Sequence, residues 1–132
     1  MREPVELNGE TPALAGRVLE RLIAEGTWYR GSIQSPANVV WLLVDAVWHR
    51  LYFDSGTVYW RVSATGPQPY PMPELEMEVR LADLGASRGL NGAVIESCDI
   101  LSILGGSTVE LLFDSGAKIG FDNVSDRTLI TG

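Results

Sequence analysis

The sequence predicts an α+β fold: an N-terminal helix packed on a mostly antiparallel β-sheet system, built from two related β-meanders and closed as a sandwich or an open roll. Three observations predict it. Apolar residues recur at helical spacing across residues 12–25. From Trp28 onward the chain runs in β-branched and aromatic stretches broken by glycines. Finally, residues 51–63 (LYFDSGTVYWRVS) and 111–123 (LLFDSGAKIGFDN) agree at five of thirteen positions, including an unbroken FDSG.

The helix is expected to open at Thr11 as N-cap, with Pro12 at the first position, where no N–H is needed. Leu14, Val18, Leu19, Leu22 and Ile23 form its apolar stripe, Arg17, Glu20, Arg21 and Glu25 its polar side, and Gly26 its stop. A first β-unit then spans about 28–65. Within it Asn38–Trp48 is apolar enough for a strand or strand pair buried on both faces, and Leu51–Val62 reads as a hairpin around Asp54-Ser55-Gly56. Residues 66–73 (GPQPYPMP) carry Pro at every second position. Docking peptides of the PxxP kind need Pro three residues apart, so this stretch reads as a stiff connector. The second unit, about 74–131, opens on the strict alternation Glu74–Leu81 and continues through strands at 93–104, 108–113, 117–122 and 127–131.

The two FDSG turns set which side chains share a face. A two-residue loop would put Ser55 and Ser115 at positive φ, so a three-residue loop with glycine last is expected in both hairpins. In the first hairpin that register places Leu51, Phe53, Thr57, Tyr59 and Arg61 on one face. Trp48, Arg50, Tyr52, Val58, Trp60 and Val62 take the other. In the second it gathers Val109, Leu111, Phe113, Ile119 and Phe121 as core.

Length and composition limit the function classes. The chain has 132 residues, 45% of them hydrophobic and 20% charged, which suits a single globular domain. Its net charge is -7, of which -1 falls in residues 1–66 and -6 in 67–132. That balance argues against nucleic acid and anionic membranes and suits a basic protein partner. No apolar run is long enough to span a bilayer, and the polar start MREPVELNGE does not read as a secretory signal. A lone cysteine, Cys98, excludes an internal disulfide and fits a reducing, cytoplasmic setting. Nine of ten basic residues are Arg, a skew expected of a GC-rich bacterial genome.

No catalytic, metal or cofactor constellation emerges. His49 is the only histidine and has no second ligand at a metal-site spacing, nor any nucleophile elbow elsewhere. Cys98 lies in an apolar strand and reads as a small buried hydrophobe. Gly85, Gly89 and Gly92 fit no phosphate-binding pattern. Eight of the eleven aromatic residues precede residue 61. Trp, Tyr and Arg dominate interface hot spots, so Trp48, Arg50, Tyr52 and Trp60 are the candidate binding residues. The leading expectation is a non-enzymatic protein-binding module of the immunity or adaptor type. The alternative is a small-molecule site or weak enzyme in a pocket between helix and sheet, lined by Trp41, Trp48 and Trp60. Self-association into a homo-oligomer is a third reading.

Overall fold

A computed structural model describes residues 6–10 and 13–132. Eleven strands, β1 (Leu7–Asn8), β2 (Leu19–Tyr29), β3 (Ser32–Val44), β4 (Val47–Asp54), β5 (Thr57–Ser63), β6 (Tyr70–Met72), β7 (Met77–Asp83), β8 (Ile95–Ile103), β9 (Gly106–Phe113), β10 (Lys118–Val124) and β11 (Arg127–Thr131), form two sheets. The large sheet has the order β1-β5-β4-β3-β2-β7-β6 and the small one β11-β10-β9-β8. Among the described residues only β1 on β5 is parallel. Strand accounts for 66% of the chain and helix for 6%, so the α+β expectation is overturned: the fold is nearly all β.

The expected helix at 12–25 is the point of failure. Thr11 and Pro12 lie outside the described residues, and Leu19–Tyr29 is the strand β2. A β-bulge at Glu20 explains the misleading spacing. The register shifts between Leu19 and Arg21, so Leu19 and Leu22, three apart, both enter the core. Ile23 is buried too, but on the opposite face of the same strand. A strand with a bulge and two apolar faces thus reproduces the i, i+3, i+4 pattern of a helix. The bulged residue has its own anchor, since Glu20 Oε2 accepts the Ala46 N–H of the β3–β4 turn at 3.2 Å. Among the described residues the one α-helical turn is α1 (Leu84–Ser87), capped by Asp83, whose Oδ1 accepts the Ala86 N–H at 3.0 Å.

The small sheet covers one face of the large one. Leu22, Val40, Leu42, Leu51, Val58 and Trp60 meet Val109, Leu111, Phe113, Ile119 and Phe121 in a single core. Burying each such side chain contributes roughly 1.5–3 kcal/mol, which is why the sheets stay together. Along one side the sheets also share hydrogen bonds: Ile95 N–H donates to Arg17 O at 2.8 Å and Leu19 N–H to Ala93 O at 2.9 Å.

The two FDSG turns differ. In the second hairpin Phe113 pairs with Ala117 and Gly116 takes φ 89°, giving the expected three-residue loop and core face. In the first, Asp54 pairs with Thr57, leaving a two-residue loop with Ser55 at φ 50° and Gly56 at φ 82°. Asp126 of the β10–β11 turn accepts the Ser55 N–H at 3.2 Å, a tertiary contact that supports the tighter turn. One fewer loop residue turns β5 over. Trp60 and Val58 therefore join Leu51 in the core, while Tyr59 and Arg61 face outward beside Tyr52 and Arg50.

The Pro-rich stretch does more than connect. Residues 64–69 cross the outer face of the large sheet, Tyr70–Met72 forms the edge strand β6, and Pro73–Leu75 makes a 3-10 turn. From β5 to β6 the chain must cross five inter-strand spacings, about 24 Å, close to the full reach of a seven-residue step. Prolines held in extended conformations suit such a strap. Strand β7 pairs with β2 and is covered at its outer edge by β6, so it lies within the large sheet instead of opening the second unit.

Candidate functional site

The outer face of the large sheet carries apolar and aromatic side chains that the small sheet does not cover. Ile23, Val39 and Trp41 are buried there, with Trp48, Tyr52 and Leu81 packed against them. Trp41 and Trp48 meet edge to face at 6.3 Å, and Tyr52 stacks on Tyr59 at 4.9 Å with nearly parallel rings.

Three arginines alternate with these rings. Arg21 lies 5.8 Å from the Trp48 ring centre, Arg50 5.8 Å from Trp41 and 5.0 Å from Tyr52, and Arg61 5.7 Å from Tyr59. The alternation follows from strand geometry. Trp48, Arg50 and Tyr52 are every second residue of β4, and the β4–β5 register sets Arg50 opposite Arg61 and Tyr52 opposite Tyr59. Like charges placed directly across a ladder destabilise it by up to about 1 kcal/mol, so the Arg50–Arg61 pair is held at a cost.

The arginines differ in their partners. Arg61 Nη2 donates to Asn8 Oδ1 at 2.6 Å and Nη1 to Asn8 O at 2.8 Å, which orients the guanidinium along β1. Arg21 sits 3.7 Å from Asp83. Arg50 is half-buried, and among the described residues it has neither a hydrogen-bond acceptor nor a carboxylate within salt-bridge range. Glu25 is a partly buried acid of this face. Burial raises its pKa above the usual carboxylate value, against the opposing effects of the Trp41 Nε1–H bond at 3.3 Å and the charge of Arg50. The strap 64–69 passes over one side of the face. With Tyr70 it encloses a groove against Glu25, Trp41 and Arg50, and a Cβ on Gly66 would lie 2.7 Å from Trp48 Cε2.

Of the sequence candidates, Trp48, Arg50 and Tyr52 are brought together on this face. Trp60 is not. It is 3% exposed in the opposite core, where its Nε1–H donates to His49 Nδ1 at 3.1 Å. The expected pocket between helix and sheet lined by Trp41, Trp48 and Trp60 does not exist, because there is no helix and Trp60 faces the other way. Sequence reasoning missed Tyr59, Arg61 and Arg21. Counting the first turn as two residues recovers the first two; Arg21 needs the bulge.

The remaining titratable candidates have structural settings. His49 accepts the Trp60 N–H, and burial followed by the nearby Arg17 charge lowers its pKa. Burial pushes the Cys98 thiol up to about 12, far from a reactive thiolate. Among the described residues no three His, Cys, Asp or Glu side chains gather as a metal site, and no helix is long and apolar enough to cross a membrane. On the outer face of the small sheet Asp99 stands across from Glu110, which has Lys118 at 3.7 Å, and Thr108 Oγ1 donates to Asp122 Oδ1 at 2.5 Å. No protein-family model, curated protein or solved structure matches the chain.

Proposed function

We propose that the chain is a non-enzymatic protein-binding domain of the immunity or adaptor type, with the outer face of the large sheet as its docking surface. The observation that carries this reading is the alternation of Arg21, Arg50 and Arg61 with Trp48, Tyr52 and Tyr59 on one sheet face, packed over the buried Trp41. These are the side chains that supply most binding energy at protein interfaces, since each offers a large rigid surface with a polar handle. Strand backbones hold them in register, so little ordering is needed on association. The net charge of -6 in residues 67–132 supports the further expectation of a basic region on the partner, which it would steer at long range.

The test is affinity capture from lysate with the wild-type chain and with Tyr52→Ala and Tyr59→Ala. A stoichiometric protein retained by the wild type and lost from both folded variants supports the reading. Retention by both variants places the interface elsewhere and overturns it.

The groove beneath the strap favours a second reading, a small-molecule site. Glu25, Trp41 and Arg50 there combine an acceptor, a ring and a cation under the backbone of residues 65–68. A metabolite that raises the melting temperature of the wild type but not of Arg50→Gln would support it.

A further inference from the structure

We infer that the Arg50–Arg61 pair receives an acidic segment of the protein partner, an extended stretch with carboxylates two residues apart; this rests on the protein-binding reading above. Arg50 and Arg61 are paired in mid-sheet although the whole chain has a net charge of -7. Two acids of this face stand at its margins, Asp83 beside Arg21 and Asp54 at the end of β4, while Glu25 is near enough to Arg50 for their charges to interact. Among the described residues the half-buried Arg50 guanidinium has no hydrogen-bond acceptor, and its residue lies directly opposite Arg61, an arrangement that a bound anion would relieve. An Arg presents a planar fork that matches a carboxylate bidentately, and its two neighbours are already in place. The rings of Trp41 and Tyr52 hold Arg50 from the sides, and Asn8 holds Arg61.

Spacing narrows the ligand. Directly opposed residues of an antiparallel pair have Cβ atoms about 5 Å apart, and from there Arg50 leans toward Trp41 of β3 while Arg61 reaches Asn8 of β1 on the other side. Alternate side chains of an extended peptide are about 6.8 Å apart on one side, so a Glu-x-Glu or Asp-x-Glu stretch places one carboxylate on each arginine. The Tyr52–Tyr59 stack lies one row further along the same strands and offers an apolar seat for a neighbouring side chain. A lone phosphate would engage the two forks but leave that stack unused.

The test is an amide and guanidinium NMR titration of the full chain. Four probes are used: a short peptide alternating Glu and Ala, the same peptide with Lys for Glu, inorganic phosphate, and an oligothymidylate. The expected result is that the Glu peptide shifts the Nε–H signals of Arg50 and Arg61 together with Tyr52 and Tyr59. Its affinity should fall about tenfold or more in Arg50→Gln/Arg61→Gln and recover in part in Arg50→Lys/Arg61→Lys, as expected for charge-assisted contacts. No shift with the Glu peptide, binding of the Lys peptide at the same residues, or tighter binding of phosphate or oligothymidylate than of the Glu peptide would overturn the inference. If a captured partner depends on Tyr52 but not on the arginines, the acidic-segment inference fails while the docking face stands. If capture depends on neither, the docking face itself fails.

Discussion

The Trp60 indole donates a hydrogen bond to Nδ1 of His49 at 3.1 Å, linking the neighbouring strands β5 and β4 on the side that faces the main core. The bond requires an unprotonated Nδ1, and burial with the Arg17 charge lowers the imidazole pKa below its usual 6.5. A group whose folded pKa is depressed contributes stability that is present above the unfolded pKa and lost as pH falls through the folded value. Urea denaturation should therefore show falling stability as pH drops below about 6.5, and His49→Gln should remove that component. Trp60→Ala, which empties a core site, is expected to cost about 3–5 kcal/mol. An unchanged midpoint in Trp60→Ala would mean that the ring is not core.

Glu25 has the opposite sign. Its folded pKa is raised above 4.5 by burial, so its contribution is fully present below the unfolded value and lost as pH rises through the folded one. Glu25→Gln should hold that contribution at all pH values. Compared with the wild type, the variant should gain stability at neutral pH relative to pH about 4. A parallel pair of stability curves would contradict this setting for the carboxylate.

The two FDSG turns should respond differently to the same substitution. Ser55 sits at φ 50°, where Asn is tolerated better than Ser, so Ser55→Asn is expected to stabilise by about 0.5–1 kcal/mol. Ser115 is not in that region, and Ser115→Asn should be neutral within about 0.5 kcal/mol. Equal effects in thermal unfolding would mean that the turns are alike after all.

The strap is tested at Gly66, which packs against Trp48. Gly66→Ala crowds the indole and is expected to destabilise by about 1–3 kcal/mol, with a change in Trp fluorescence from Trp48 as the strap moves away. Gly56→Ala, with open space around it but φ 82°, should also destabilise, without the fluorescence change.

Much of the β architecture was legible because period-two alternation and turn residues act locally. Arg127–Thr131 is the strand its sequence predicts, and the second FDSG hairpin has its expected loop and core face. The candidate face was half legible: Trp48, Arg50 and Tyr52 alternate along β4 and share a side whatever the neighbours do. The helix failed because local periodicity cannot distinguish a helix stripe from a bulged strand with two apolar faces. That choice was made by β3 and β7, which pair with both edges of β2. Likewise, identical FDSG segments took different turns, and the tighter first turn is the one that meets Asp126. The sequence by itself determined where strands break and which side chains alternate. The tertiary structure decided which face each set occupies, because one residue of loop or bulge reverses a strand's faces, and long-range pairing selects that residue.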